Sequence, residues 1–217
     1  MFSIRNLTKS YITPSGRKYI FRDVSIDLPE GKNIGLMGRN GAGKSTLMRL
    51  LSGTDSPDSG QIVTDKRISW PVGLSGGFQG SLSGKENVKF VCRIYGFSGE
   101  AMRSKVAYVK NFAEIGHWFN EPVRTYSSGM RSRLAFGLSM AFDFDYYLID
   151  EVLAVGDSHF REKCKQVFKE KLVRSNIMLV THSTSEISKL CNVVVLIENG
   201  NIKIYDDVAA GIAAYKT

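Results

Sequence analysis

The fold is decided by the stretch Gly38-Arg39-Asn40-Gly41-Ala42-Gly43-Lys44-Ser45-Thr46. It fits the pattern G-x-x-x-x-G-K-[ST], in which backbone N–H groups and a lysine surround the phosphates of a nucleotide. The flanks fit as well. Asn33 to Met37 reads as a short buried strand, and apolar residues recur at helical spacing from Leu47 until Gly53. A strand, a glycine-rich loop and a helix in this order predict that the chain binds a nucleoside triphosphate.

Different residues of this loop are expected to bind the triphosphate and Mg²⁺. The glycines let the chain curl so that successive N–H groups from Gly38 to Thr46 point at phosphate oxygens. Lys44 is expected to reach the β- and γ-phosphates, and the Ser45 hydroxyl to coordinate Mg²⁺. The alternative is a glycine-rich turn that matches the pattern by chance, and the flanking strand and helix count against it.

Composition bounds the class of protein. The 217 residues give room for one α/β domain with a small inserted subdomain, and 43% hydrophobic and 23% charged residues are ordinary for a soluble globular protein. No apolar run approaches the roughly 18–20 residues that span a bilayer, and no apolar signal segment opens the chain. Three scattered cysteines predict a reducing compartment without disulfides or a cysteine metal site: Cys92, Cys164 and Cys191.

The formal net charge of +8 permits nucleic acid or an anionic membrane as a partner. The densest basic run lies on one predicted helix, between Arg161 and Arg174, whose apolar stripe includes Phe160 and Phe168. A solvated basic face explains this run, and contact with lipid headgroups stays open.

The pattern along the chain predicts an α/β fold with an antiparallel β subdomain at the N-terminus. Its strands are expected at Phe2 to Leu7, Lys18 to Arg22 and Val24 to Leu28, ahead of the glycine-rich loop. Further strands are expected after the loop, at Gln61 to Thr64 and Ile68 to Val72. A helical insert is expected at about 85–142, and it includes the helix that opens at Tyr126. Later strands are expected at Ile177 to Val180, Val193 to Ile197 and Ile202 to Tyr205. Residues 1–217 are predicted to form a single ATPase domain.

Two strand ends carry candidate catalytic groups. Tyr146 to Asp150 reads as a strand that ends in two carboxylates, at the edge where α/β sheets bind ligands. Asp150 is expected to hold Mg²⁺ through water, and Glu151 to face the γ-phosphate, orient water and accept its proton. His182 closely follows the strand Ile177 to Val180. We expect a catalytic role for it, and the alternative is that it is a structural histidine.

Two further stretches have both a structural and a functional interpretation. Tyr126-Ser127-Ser128-Gly129-Met130 opens a helix, either as an ordinary N-cap or as a second anion site built from exposed N–H groups and the Ser127 hydroxyl. Tyr11 is the aromatic side chain best placed to lie over an adenine ring, and its alternative is an ordinary strand tyrosine.

In this order, the motifs resemble the nucleotide-binding domain of ABC transporters along the whole chain. The resemblance makes Tyr11 the adenine-stacking aromatic, Gly38 to Thr46 Walker A, and Tyr146 to Asp150 Walker B. It makes Glu151 the catalytic glutamate, His182 the switch histidine and Leu153 to Asp157 the D-loop. The signature, usually LSGGQ, reads Tyr126-Ser127-Ser128-Gly129-Met130 here. Ser127 and Gly129, the main phosphate contacts in the family, remain, while Ser128 and Met130 replace a glycine and the glutamine.

The stretch Trp70-Pro71-Val72-Gly73, the loop Gly76 to Gly80 and the signature are similar to the ATPase subunit of capsular polysaccharide exporters. O-antigen and teichoic acid exporter ATPases share the general layout. Gln79 is the candidate for the glutamine that senses Mg²⁺ and the γ-phosphate, although the family's glutamine lies farther upstream of its following helix.

The resemblance implies a mechanism and partners. Two copies would close head to tail, with each ATP between Walker A of one copy and the signature helix of the other. Closure would pull on a permease dimer through a groove around residues 70–98, and hydrolysis by Glu151 and His182 would reset the homodimer. The implied location is peripheral, on the cytoplasmic face of the bacterial inner membrane. Periplasm-spanning export proteins and capsule-synthesis proteins are further expected partners, and no nucleic acid is.

Three other classes stay as alternatives. A soluble ABC-type ATPase acting on DNA or ribosomes would suit the charge of +8, but such proteins usually have two cassettes or a long coiled-coil insert. Asp150-Glu151 with the signature-like stretch argues against a P-loop kinase, and no N-K-x-D motif supports a GTPase. An ABC importer ATPase would carry the same motifs, and only the resemblance of this chain to capsule exporters argues against that class.

Overall fold

A computed structural model describes residues 2–73, 77–150 and 157–216. Its strands are β1 (Phe2–Thr13), β2 (Gly16–Asp27), β3 (Ile34–Met37), β4 (Ser59–Thr64), β5 (Ile68–Pro71), β6 (Tyr146–Asp150), β7 (Asn176–Val180), β8 (Val193–Glu198) and β9 (Asn201–Tyr205). Its α-helices are α1 (Lys44–Leu51), α2 (Gly84–Ile94), α3 (Gly99–Ala113), α4 (Ser128–Met140), α5 (Ser158–Leu172), α6 (Thr184–Leu190) and α7 (Val208–Lys216). Short 3₁₀ helices cover Gly116–Asn120 and Val123–Thr125.

The chain forms two compact units. The first contains the described residues up to 71, from 144 to 150 and from 174 onward, and so holds every strand named above. The second contains the described residues from 72 to 143 and from 157 to 173. It therefore takes in the basic helix α5 as well as the helical insert expected at about 85–142.

The first unit has two sheets. In the three-stranded sheet, β1 lies between β2 and β4 and pairs antiparallel with both. The six-stranded sheet has the order β5-β6-β7-β3-β8-β9, in which only the β8–β9 pair is antiparallel. Because the carboxyl ends of parallel strands share an edge, the residues that follow β3, β6 and β7 lie at the same edge of this sheet.

The core of the first unit explains why these strands form. β3 is buried at every position, and β8 is buried from its first residue through Ile197. Such continuous apolar runs are typical of parallel strands covered on both faces. Side chains from β1, α1, β6 and β8 join one buried cluster, which includes Phe2, Leu47, Leu148 and Val195.

The second unit is built on helices. α2 begins with a capping box, in which the Ser83 hydroxyl accepts from the Glu86 N–H and the Glu86 carboxylate accepts from the Ser83 N–H. Phe112 of α3 stacks on Phe136 of α4, with ring centroids 5.7 Å apart, and meets Phe160 of α5 edge-on at 5.4 Å. These aromatic contacts tie three helices into one core.

The structure confirms the α/β order of elements but changes the N-terminal strands. β1 continues past Leu7 to Thr13, and the strands expected at Lys18 to Arg22 and Val24 to Leu28 are one strand, β2. The break expected at Asp23 is an irregularity within this strand: Asp23 has φ 50° and its N–H donates to Thr8. The basic helix is confirmed, with Phe160, Cys164 and Phe168 buried. Within residues 2–73, 77–150 and 157–216, no helix is long and apolar enough to span a membrane.

Candidate nucleotide-binding site

A cavity of about 590 Å³ lies in the first unit, at the edge where β3, β6 and β7 end. It is lined by Tyr11, Thr13, Lys18, Ile20, Asn40, Gly41, Gly43, Lys44, Ser45, Thr46, Asp150, Val180 and His182. Its volume falls within the range typical of small-molecule sites. The structure therefore brings together most of the glycine-rich loop and three other predicted site residues, Tyr11, Asp150 and His182.

The remaining loop residues lie close by. Arg39 and Ala42 line a second cavity of about 410 Å³, which also includes Asn40 and Gly41. Gly38 lines neither cavity and is buried directly after β3. A Cβ atom at Gly38 would lie 2.5 Å from the Ile197 carbonyl oxygen, so this position requires glycine.

Gly43 shapes the start of α1. It has φ 112°, and a Cβ atom there would lie 2.6 Å from Cγ2 of Ile20 and 2.9 Å from Cζ of Phe21. As the N-cap residue it offers no side-chain hydrogen bond to the first turn of the helix. The first N–H groups of a helix have no hydrogen-bond partner within the helix. Those of α1 can therefore donate hydrogen bonds to an anion.

Lys44 is held against its own loop. Its ammonium group donates to the carbonyl oxygens of Gly38, at 2.7 Å, and Arg39, at 3.1 Å. A fixed positive charge thus lies beside the donors of the helix start, which is the arrangement that binds the terminal phosphates of a nucleotide.

Ser45 and Asp150 form the candidate metal site. The Ser45 hydroxyl donates to the Asp150 carboxylate over 3.4 Å, although 105 positions separate them in the chain. Among the described residues, no group of three or more His, Cys, Asp or Glu could hold a metal ion. Mg²⁺ is commonly held by one or two carboxylates together with substrate phosphates and water, so a hydroxyl and one carboxylate beside a phosphate site fit this ion.

Tyr11 and Lys18 form another wall of the cavity. They are cross-strand partners in the β1–β2 hairpin. The Tyr11 hydroxyl donates to Asp55 over 2.8 Å and accepts from Arg49 over 3.2 Å. The sequence alone did not single out Lys18 as a site residue, because its place opposite Tyr11 depends on the register in which β1 pairs with β2.

Of the two predicted catalytic residues outside the glycine-rich loop, His182 lies among the described residues and Glu151 does not. His182 follows β7, is exposed and lines the cavity. Glu151 and the first four residues of the expected D-loop, from Leu153 to Gly156, lie outside the described residues.

The other predicted site residues belong to the second unit. The Ser127 hydroxyl accepts from the Met130 N–H over 3.2 Å and caps α4, while Ser128 is exposed and Gly129 half-buried. Asp157 caps α5 by accepting from the Phe160 N–H over 2.9 Å, and Arg133 donates to it over 2.6 Å. These contacts lower the pKa of Asp157, with the Phe160 N–H as the largest cause.

Gln79 is positioned through its backbone. Its N–H donates to the Asn87 side chain over 2.8 Å, and the Asn87 amide returns a hydrogen bond to the Gln79 carbonyl over 3.1 Å. Asn87 is buried, whereas Gln79 is exposed. The loop before α2 is therefore held through the backbone of Gln79, and the Gln79 side chain is exposed.

Comparison with known proteins agrees with this geometry. Residues 21–154 match the ABC transporter family model. The chain is 56% identical over 217 residues to the polysialic acid transport ATP-binding protein KpsT of Escherichia coli, covering all of this chain and 96% of that protein. It is 44% identical over 217 residues to the capsule polysaccharide export ATP-binding protein CtrD of Neisseria meningitidis serogroup B, covering all of this chain and 99% of that protein.

A solved structure shares the fold. It is described as the dimeric post-hydrolysis state of the ATP-binding cassette MJ0796 bound to ADP and Pi. The TM-score is 0.72 at 23% identity, over 94% of this chain and 98% of that one. On its sequence match and its fold, the chain belongs to the ABC transporter family.

Proposed function

We propose that this chain is the ATP-hydrolysing subunit of an ABC exporter that powers the export of capsular polysaccharide across the inner membrane. One observation carries the ATPase assignment. Lys44, the Ser45–Asp150 pair and Tyr11 line a single cavity at the carboxyl edge of the sheet. The choice of capsular polysaccharide is supported by the similarity, over the whole chain, to the proteins named KpsT and CtrD.

The residues of the cavity divide ATP binding among them. The glycine-rich loop and Lys44 hold the phosphates, and the Tyr11 ring stacks on the adenine. Ser45 and Asp150 would hold Mg²⁺, with Gln79 as a further contact, and the ion would neutralise charge on the β- and γ-phosphates. Glu151, the next residue after Asp150, orients a water and takes its proton, while His182 contacts the γ-phosphate.

The site is completed by a second copy of the chain. The start of α4 offers the Ser127 hydroxyl and the N–H groups of Ser128 and Gly129 to the γ-phosphate of the other copy, with Met130 beside them. Asp157, which Arg133 of α4 contacts, belongs to the loop that meets the opposite nucleotide. Two copies would thus close head to tail as a homodimer, with residues 1–217 acting in each as one ATPase domain.

The partner is a membrane permease dimer, and the location is the cytoplasmic face of the bacterial inner membrane. The contact region is the stretch around residues 70–98. Its helix α2 exposes 55% of Phe90 and 64% of Ile94, one helical turn apart. Periplasm-spanning export proteins and capsule-synthesis proteins are part of the same proposed assembly.

The substitution Glu151→Gln tests the catalytic assignment. We expect ATPase activity to fall by about 10²–10⁴-fold, the usual contribution of a general base. We also expect a dimer in ATP and Mg²⁺ by sedimentation velocity, because ATP would bind without being consumed. Lys44→Ala is the control, which should neither hydrolyse ATP nor dimerise. Unchanged hydrolysis together with no ATP-dependent dimer in Glu151→Gln would refute the role of Glu151.

A pull-down tests the transported substrate and the partners. The tagged chain, recovered from detergent-solubilised native membranes, should bring down a multi-span permease together with capsule-synthesis proteins, identified by mass spectrometry. Recovery of ribosomes or nucleic acid without any membrane protein would contradict the exporter assignment and favour a soluble ATPase.

A further inference from the structure

A polar network holds the hydroxyl end of Tyr11. The Tyr11 hydroxyl bonds to Asp55 and Arg49, and Lys9 extends this network. The Lys9 ammonium group donates to the Asp55 carboxylate oxygen that Tyr11 does not use, over 2.6 Å, and to the Ser56 carbonyl, over 2.7 Å. The same ammonium group lies 5.2 Å from the centroid of the Tyr11 ring. Asp55 thus joins a buried lysine to the tyrosine of the cavity.

The Lys9–Asp55 ion pair is largely removed from water. The Lys9 side chain is 9% exposed and that of Asp55 23%. The hydrogen bond to Asp55 raises the pKa of Lys9. Burial raises the pKa of Asp55, but the bonds from Lys9, Tyr11 and the Ser56 N–H outweigh it, and the net shift is downward. Both groups therefore stay charged at neutral pH, and each needs the other as its partner.

The network is attached to α1, the helix that begins within the glycine-rich loop. The Arg49 carbonyl, in the last turn of α1, accepts from the N–H groups of Thr54, at 3.0 Å, and Asp55, at 3.2 Å. The Arg49 guanidinium donates to the Tyr11 hydroxyl. The first residues of α1 therefore line the cavity, and its last turn contacts the Tyr11 hydroxyl.

We propose that Asp55, supported by Lys9 and Arg49, is a positioning residue that fixes the Tyr11 ring as a platform for the base of the nucleotide. The inference rests on the proposed function, in which Tyr11 stacks on the base. A ring that is already immobilised loses little freedom when the base binds, so the network raises the base-dependent part of the affinity.

A purely structural ion pair would behave differently, and Asp58 provides the comparison. Asp58 lies in the same loop and accepts hydrogen bonds from the N–H and hydroxyl of Ser10, on the same strand as Tyr11. It makes no described hydrogen bond to Tyr11. A carboxylate that only attaches this loop to β1 should affect stability without distinguishing ligands that have a base from ligands that lack one.

The test compares ATP with inorganic tripolyphosphate, which lacks the base, by isothermal titration calorimetry on the full chain. The wild type should bind ATP more tightly. Asp55→Asn and Tyr11→Phe, which keeps the ring but loses both hydrogen bonds, should weaken ATP binding about two- to tenfold, the scale of ordering one side chain. Both variants should leave tripolyphosphate binding unchanged, and Asp58→Asn should leave both affinities unchanged.

Each other outcome has a defined meaning. If Asp55→Asn and Tyr11→Phe keep the wild-type ratio of the two affinities, or lower both affinities equally, the positioning role is wrong while the proposed function stands. If the wild type binds ATP and tripolyphosphate equally well, the base platform itself is wrong. If the wild type binds neither, the proposed function fails. Should Asp55→Asn not fold, Tyr11→Phe decides the question on the same ratio.

Discussion

Gly43 combines two constraints at one residue. Its φ of 112° disfavours any L side chain, and a Cβ atom would also press on Ile20 and Phe21. Gly41 has φ 80°, but a Cβ atom at that position would have nothing within 4 Å. The two glycines therefore separate backbone strain from crowding within one loop.

We expect Gly43→Ala to destabilise the protein by about 1–3 kcal/mol more than Gly41→Ala, because only Gly43→Ala overpacks the hairpin beneath the loop. Urea unfolding of both variants measures the difference. Gly43→Ala should also lose ATP binding, measured by calorimetry. Equal unfolding free energies for the two variants would show that crowding against Ile20 and Phe21 contributes nothing.

At single residues, the sequence predicted the parts of the site that are close together in the chain. The loop from Gly38 to Thr46 and the strand end at Asp150 follow local patterns, and Asp150 and most of the loop line the cavity. Lys9 and Asp55 did not stand out, because nothing local links two charged residues 46 positions apart. Their pairing depends on β1 and the loop after α1 meeting in the folded chain.

The start of α2 depends on its cap. The Ser83 hydroxyl and the Glu86 carboxylate satisfy each other's backbone N–H groups, and these bonds lower the pKa of Glu86. Ser98 stands at the N-cap of α3 but makes no side-chain cap bond. The same substitution at both positions therefore isolates the value of the cap.

We expect Ser83→Ala to lower the free energy of unfolding by about 1 kcal/mol, and Ser98→Ala to change it by no more than about 0.5 kcal/mol. Urea titrations followed by circular dichroism measure both. The pKa of Glu86 is lowered in the folded state. The Glu86 carboxylate therefore stabilises the fold at pH values above the unfolded-state pKa of Glu86, and this stabilisation is lost as the pH falls through its folded-state pKa. A Ser83→Ala effect no larger than that of Ser98→Ala would contradict the cap.

For whole elements, the sequence predicted types better than lengths. The predicted bounds of buried strands such as β3 and β8 agree with the structure within one residue, because their apolar runs end abruptly. The sequence predicts a shorter β1 and divides β2 in two, because Thr8 to Tyr11 and Asp23 interrupt the apolar pattern. In the structure, Asn6 and Asp23 both have positive φ and their side chains bond across the hairpin, so the strands continue through the irregularity.

For the molecule as a whole, the cysteines report on global stability. Cys92, Cys164 and Cys191 are all buried. Burial raises the pKa of the Cys164 and Cys191 thiols to about 12 and also raises that of Cys92. The reactive thiolate form is therefore nearly absent at pH 8.

We expect the native protein at pH 8 to react with a disulfide reagent only as fast as it opens, whereas in urea all 3 thiols react at once. Absorbance of the released chromophore counts the thiols. Ser104→Cys, on an exposed position of α3, supplies a control thiol that should react immediately in the native state. Rapid labelling of a natural cysteine in the native protein would show that its surroundings are open to solvent.

The order of the strands in the six-stranded sheet also matters while the chain is being made. β3 pairs with β7 on one side and β8 on the other, so the ribosome releases the phosphate loop long before either neighbour. At typical synthesis rates the wait is on the order of ten seconds. The β1–β2–β4 sheet, by contrast, has all its partners within the first 64 residues. We therefore expect nucleotide binding to appear only once β7 and β8 have emerged, so that it would mark a nascent chain whose central sheet is complete.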